Sequence, residues 1–320
     1  MTAAQFPVML LLAIEVLTQS TFPASPGQQE PNPYTINVRV GLAVLPVTVT
    51  EGRNHPVSGL KAQNFRVYED GKPQEISIFE DKDAPVTVGL VVDNSLSMQP
   101  TRPAVVAAAL AFAGSSNPDD EIFVVNFNRA ARVGLPPGVP FARNREDLKS
   151  SLAMITASGQ TALYDAVAFA LEYLKKGTCN KKYLIVVSDG GDDASTHTLS
   201  GILNAAKASQ VAIYGVGIVN ETFFGENPAA LRKLSKATGG EFYLPETVPQ
   251  VIGTLNTIAR DIRQQYTLGY VPTNQAEDGK FRTVRVTANT EGGKKLSVHT
   301  RAGYLAPGAP RDQAVVRESP

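Results

Sequence analysis

Asp93, Ser95 and Ser97 form an Asp-x-Ser-x-Ser pattern directly after the apolar run Val86-Thr-Val-Gly-Leu-Val-Val. One carboxylate and two hydroxyls spaced two residues apart can be aimed the same way by an extended or turning loop. All three offer oxygen, which suits a hard divalent cation. Taken alone the pattern is weak, because Asp and Ser are ordinary turn residues. Two later stretches carry the same kind of atoms. Ala157-Ser-Gly-Gln-Thr161-Ala-Leu-Tyr-Asp165 offers a hydroxyl at the expected start of a helix. Lys182-Tyr-Leu-Ile-Val-Val-Ser188-Asp189-Gly190 ends a second apolar run in a carboxylate.

The elements that must position these atoms are legible as patterns. The runs at 86–93 and 182–188 are β-branched and apolar with no polar alternation, as expected of strands buried on both faces of a parallel sheet. Asp120 to Phe127 and Gln210 to Ile218 read likewise. Arg129 to Leu135 is expected to return antiparallel at the sheet edge, and Glu241 to Leu244 as a short last strand. Thr161 to Lys175 places Leu163, Val167, Leu171 and Leu174 on one helical face, with Thr161 as an ordinary N-cap. A second helix runs from Asn227-Pro228 to Gly239. A third, from Pro249 to Tyr266, carries Val251, Leu255, Ile258, Ile262 and Tyr266 at helical spacing. Alternating strands and helices predict an α/β fold with a doubly wound, mostly parallel sheet over 85–262. Its ligand edge lies at the strand C-termini. Gly89, Val91, Ile185, Val186 and Val187 are expected to serve the fold alone.

The order Asp-x-Ser-x-Ser, Thr and Asp-Gly on these elements resembles the von Willebrand factor A domain and its metal-ion-dependent adhesion site. That resemblance implies a metal site of Asp93, Ser95, Ser97, Thr161 and Asp189. It implies Mg²⁺ as the ion, with Mn²⁺ or Ca²⁺ open, and a partner protein whose carboxylate completes the coordination shell. Charge supports this, since an ion held by few anionic ligands stays attractive to another anion. Leu96 departs from the small residue common at its position; it either crowds the metal face or offers a partner an apolar contact. Asp165 is a candidate for support of the site, whereas Asp192 and Asp193 are expected to cap a segment starting near Ala194 or to be solvated. The stretch from Gly59 to Gln74, with Phe65-Arg-Val-Tyr-Glu-Asp-Gly, is similar to the segment preceding this domain in a bacterial group of exported, acidobacterial-type von Willebrand factor A-related proteins.

The flanks change character. Segment 34–84 reads as short strands, among them Ile36/Val38/Val40, 45–49, and a hairpin of 65–69 with 75–79 around Asp70-Gly71. Segment 263–306 alternates again at Val284, Val286 and Ala288 and turns at Thr290-Glu-Gly-Gly293. Neither flank has strands enough to close alone. They are expected to combine as one β-sandwich-like domain, or else to pack separately. Residues 1–29 carry the apolar run Phe6 to Ile14, of signal-peptide length but without a basic start, and predict export to the periplasm or beyond. Glu15 interrupts the run too early for a membrane span. The polar tail 307–320 is expected to be mobile.

Composition narrows the function. Thirty Lys+Arg balance thirty Asp+Glu, so the electrostatic footprint of a nucleic-acid binder is missing. The single cysteine, Cys179, rules out an intrachain disulfide, and His55, His197 and His299 lack zinc-ligand spacing. A serine hydrolase needs Gly-x-Ser-x-Gly, and a dinucleotide enzyme needs a glycine fingerprint where Asp93 to Met98 stands. Two-metal hydrolysis needs more carboxylates or histidines than the pattern offers. The expectation is a non-enzymatic, metal-dependent protein-binding module. The alternatives are a scaffold with a vestigial metal site and, behind it, a metal-dependent hydrolase. Oligomeric state is not legible.

Overall fold

The computed structural model describes residues 41–308 apart from 53–54, 82, 154–156 and 219–227. The expected export signal at 1–29, the alternation at Ile36, Val38 and Val40, the Asn227 helix cap and the tail from 309 lie outside the described residues.

In chain order the first strands are β1 (Ala43–Glu51), β2 (His55–Pro56), β3 (Phe65–Glu69), β4 (Lys72–Gln74) and β5 (Ile76–Glu80). The α/β part then runs β6 (Val86–Asp93), α1 (Arg102–Gly114), β7 (Glu121–Phe127), β8 (Ala131–Val133), α2 (Arg145–Ala153), α3 (Leu163–Tyr173), β9 (Lys181–Ser188), α4 (Leu199–Ser209), β10 (Ala212–Gly217), α5 (Ala229–Thr238), β11 (Phe242–Tyr243) and α6 (Val248–Arg263). The last strands are β12 (Tyr266–Tyr270), β13 (Phe281–Asn289), β14 (Lys295–His299) and β15 (Gly303–Leu305).

The α/β part is a six-stranded sheet in the order β11-β10-β9-β6-β7-β8. It is parallel except for β8, which returns antiparallel on β7. Helices cover both faces, so strand residues of either parity are buried. Val88, Leu90 and Val92 of β6 join a core with Val105 and Phe112 of α1 and Leu255 and Ile258 of α6. Val91 faces the other way, among Phe123, Leu163, Val167, Ile202 and Leu231. Each such aliphatic side chain contributes roughly 1.5–3 kcal/mol by leaving water. Gly89 shares the second face. A Cβ there would stand 2.5 Å from Phe123 and 2.6 Å from Leu184, so their side chains fill the space a larger residue would need. Among the described residues no helix is long and apolar enough to cross a membrane.

The flanking strands form one sheet in the order β4-β3-β13-β14-β1-β12-β5, with β15 on β13 and β2 on β1. Strand β1, from before the α/β part, lies between β14 and β12, from after it. This corrects the expected sandwich. The end strands β4 and β5 are separated in the chain by Glu75 alone, so the sheet must curl until its edges approach. It becomes a near-barrel around Leu45, Val47, Phe65, Val67, Leu268 and Val286, not two facing sheets. The expected hairpin is also corrected. Asp70 and Gly71 have φ of 48° and 79°, as a two-residue primed turn requires, and they join β3 to β4. Strand β5 goes instead to β12.

The two parts meet through polar anchors. Arg263, at the end of α6, pairs with Asp83 at 2.9 Å and closely with the buried Asp120. Tyr183 donates to Gln265 at 2.5 Å, and Gln265 donates to Tyr214 at 3.0 Å. His299 of β14 meets Glu241 at 2.9 Å.

Candidate metal centre

From β6 the chain moves to β7 on one side, and from β9 it moves to β10 on the other. The gap between the C-terminal ends of β6 and β9 is therefore the topological switch point, where open α/β sheets bind ligands. Asp93 ends β6 and Ser188 ends β9. Ser188 Oγ donates to Asp93 Oδ2 at 2.6 Å and accepts from the Gly190 N–H at 3.0 Å. The other carboxylate oxygen, Oδ1, accepts the Ser95 N–H at 2.8 Å.

The loop past Asp93 turns tightly at Leu96–Met98. It brings Ser95 Oγ to 3.1 Å from Ser97 Oγ, and the Ser97 hydroxyl donates to Asp189 Oδ2. Asp93, Ser95, Ser97 and Asp189 thus form one hydrogen-bonded string, through the Ser95 N–H and then the two serine hydroxyls. Thr161 sits on the neighbouring loop. Its N–H donates to Asp193 Oδ1 at 2.7 Å, and its carbonyl accepts from the N–H groups of Asp193 and Ala194 at 3.0 and 3.1 Å.

Two sequence expectations change here. Thr161 is not the helix cap, because α3 begins at Leu163 with Ala162 at the cap position and no capping side chain there. The first turn is capped from a distant loop: the Tyr164 N–H donates to Asp192 Oδ1 and the Asp165 N–H to Ser195 Oγ, both at 3.1 Å. Asp192 accordingly serves the first turn of α3 and the exposed Asp193 holds the Thr161 loop; neither is a cap for a helix at 194. Asp165 accepts from the Thr196 and His197 N–H groups and meets His197 Nδ1 at 2.7 Å. Those bonds hold its carboxyl down at about 2 against the burial that opposes ionisation.

Sequence reasoning missed the floor of the site. Asn94 is fully buried and bonds to Asn126 at 3.1 Å. Arg102 Nε donates to Asn94 Oδ1 at 2.8 Å and Arg102 Nη2 to the Leu152 carbonyl at 2.8 Å, while Asn126 donates to the Ser151 carbonyl at 2.7 Å. The available signal was an Asn at the end of each of two apolar runs. A buried amide must find partners.

The donor set fits a hard divalent cation. Asp93 is 1% exposed and Asp189 5%. Among the described residues neither carboxylate has an ion pair with Lys, Arg or His. Burial, with Asp189 nearby as a like charge, pushes the Asp93 carboxyl up to about 7 against its hydrogen bonds to Ser188 and Ser95. A cation would relieve both effects. Among the described residues no three His, Cys, Asp or Glu side chains gather, so such an ion would rest largely on hydroxyls. Leu96, 50% exposed, stands on the rim.

Residues 88–191 match the family model of the von Willebrand factor type A domain. A solved von Willebrand factor type A protein from Catenulispora acidiphila is similar in fold. It has 14% identity and a TM-score of 0.51, over 76% of this chain and 73% of that one. Weaker likenesses include BatB from Bacteroides thetaiotaomicron (16% identity, TM-score 0.43, 55% of this chain and 98% of that one). Another is proximal thread matrix protein 1 from the mussel byssus, with a zinc-occupied MIDAS motif (16%, 0.48, 57% and 48%). No curated protein matches the sequence.

Proposed function

We propose, from the match of residues 88–191 to the von Willebrand factor type A domain, that the chain is a non-enzymatic, metal-ion-dependent protein-binding module. In this reading Asp93, Ser95, Ser97, Thr161 and Asp189 hold the ion, Mg²⁺ first and Mn²⁺ or Ca²⁺ after it. The ion supplies Lewis acidity toward a carboxylate of a partner protein. The chain's own residues orient and desolvate that encounter. Asp93 is locked by Ser188 and the Ser95 N–H, and the two serine hydroxyls line up toward Asp189. Leu96 offers the partner an apolar contact beside the acid. The apolar run Phe6 to Ile14 supports export as the setting.

The observation that supports the reading is the pair of buried carboxylates at the switch point, Asp93 and Asp189, linked through the Ser95 N–H and the hydroxyls of Ser95 and Ser97 and with no Lys, Arg or His ion pair among the described residues. A scaffold with a vestigial site is the second reading. It draws on the direct Ser97–Asp189 hydrogen bond, which lets the polar groups satisfy one another.

Calorimetric titration of Mg²⁺ and Mn²⁺ into the full chain, beside Asp93→Ala, tests the proposal. Saturable binding that disappears in the variant is expected. A folded wild-type chain that takes up neither ion at millimolar concentration overturns it. Binding that survives in Asp93→Ala removes the ion from this site.

A further inference from the structure

The Thr161 loop is held in an unusual way. A helix start leaves its first N–H groups unpaired, and the common remedy is a side chain at the cap itself. Here the remedy comes from about 30 residues downstream, out of the loop that follows Asp189. Asp192 Oδ1 takes the Tyr164 N–H and also accepts the Ser195 hydroxyl at 2.6 Å, while Ser195 Oγ takes the Asp165 N–H. Asp165 in turn holds the far end of the same loop through Thr196 and His197.

At the centre of this seam, Thr161 is tied on both sides of its peptide. Asp193 Oδ1 holds its N–H, and the N–H groups of Asp193 and Ala194 hold its carbonyl. The next N–H, that of Ala162, goes to the Asn128 carbonyl at 2.8 Å. Any turn of the Thr161 backbone breaks at least one of these bonds. Because Asp193 lies four residues after Asp189, these bonds tie the loop bearing the third hydroxyl to the loop bearing the second carboxylate.

We propose that Asp193 is a positioning residue of the metal site, acting through the Thr161 N–H to set where the Thr161 hydroxyl stands relative to Asp189. The proposal rests on the adhesion-site reading. Mg²⁺-type coordination demands near-octahedral geometry, and such geometry requires that the ligands' supports be fixed. Asp193 supplies an acceptor, so the role belongs to its oxygen and not to its charge. Asparagine keeps that oxygen; alanine loses it; serine is too short to reach.

The test is Mn²⁺ titration calorimetry on the full chain carrying Asp193→Ala, Asp193→Asn, Asp193→Ser, Thr161→Ala or Thr161→Ala with Asp193→Ala. Amide exchange at Thr161 is followed in the metal-free protein. Asp193→Ala and Asp193→Ser are each expected to weaken Mn²⁺ binding by about 10–100-fold and to unprotect the Thr161 amide, while Asp193→Asn preserves both. In the Thr161→Ala background the second substitution is expected to add nothing, which a general loss of stability would not reproduce. If Asp193→Ala does not fold, Asp193→Ser decides. Wild-type Mn²⁺ affinity in whichever of these two folds overturns the positioning role. So does an additive effect beside Thr161→Ala, or loss of affinity in Asp193→Asn. A wild-type chain that binds no Mn²⁺ overturns the adhesion-site reading and the positioning role with it. Protection of the Thr161 amide then reports only whether the tether exists.

Discussion

Two buried serines have opposite surroundings, and they make a sharp comparison. Ser188 is fully buried at the end of β9. Its hydroxyl donates to the Asp93 carboxylate at 2.6 Å and receives the Gly190 N–H at 3.0 Å. Above pH 7, where the Asp93 carboxyl is ionised, Ser188→Ala removes a hydrogen bond to a charged group, worth about 1.5–3 kcal/mol. It also leaves a buried N–H unpaired, which costs about 1–3 kcal/mol more. The expected loss is about 2.5–6 kcal/mol, a large share of the roughly 5–15 kcal/mol that holds a domain folded. Ser235, in α5, is as deeply buried, but its Oγ has no hydrogen-bond partner among the described residues. Ser235→Ala removes an unsatisfied group of nearly the same volume, so it is expected to be neutral or stabilising by up to about 1 kcal/mol. Urea unfolding of the chelator-treated chain measures both, through the midpoint at constant slope. Mn²⁺ titration adds the functional arm. Ser188→Ala frees Asp93 to rotate and is expected to lower affinity about 10–100-fold, whereas Ser235→Ala leaves it unchanged. Equal stability losses in the two variants would refute the reasoning, since burial and not partnership would then decide the cost. A Ser188→Ala chain within 1 kcal/mol of wild type would refute it as well.

Other perturbations have defined outcomes. Gly89→Ala puts a methyl against Phe123 and Leu184 and is expected to cost about 1–3 kcal/mol, seen as a lower Tm, with Mn²⁺ affinity intact in the folded fraction. Arg263→Met leaves the buried Asp120 carboxylate without its cation and is expected to cost about 3–5 kcal/mol, against less than about 1 kcal/mol for Asp83→Asn, since Asp83 is itself exposed. The pair His299–Glu241 makes stability pH-dependent. Its hydrogen bond raises the His299 imidazole above its ordinary 6.5 and lowers the Glu241 carboxyl below 4.5. The His299 contribution is complete below 6.5 and fades as pH rises through its raised value; the Glu241 contribution is complete above 4.5 and fades as pH falls through its lowered one. The stability gap between wild type and Glu241→Gln is therefore expected to be widest between those two values. Chemical denaturation across pH checks this, and a gap independent of pH would refute it.

Patterns local to the chain settled the α/β layer and the chemistry it presents. The mainly apolar, β-branched runs at 86–93 and 182–188, without polar alternation, are stable when covered on both faces. The sheet there is buried from Val86 to Asp93 and from Tyr183 to Ser188, with Asp189 just past the second strand. The spacing of Leu163, Val167 and Leu171 marked the buried face of α3 because 3.6 residues per turn is a property of the backbone itself. The Asp-x-Ser-x-Ser types named a hard-oxygen donor set before any packing was considered.

Tertiary structure decided the partnerships. Thr161 read as a helix cap because a cap is what a local view supplies; the fold gave that task to Asp192 and Ser195, which only loop approach brings near. Ser188 looked like the tail of a strand until β9 lay beside β6 and set its hydroxyl against Asp93. The flanking strands alternated in a way that a sandwich or a barrel would both satisfy. Glu75 as the only residue between β4 and β5, with β1 lying between β12 and β14, curls the sheet. Alternation records which face of a strand is dry, and hydrogen bonds between residues 32 and 95 positions apart depend on strand order, which the chain acquires only on folding.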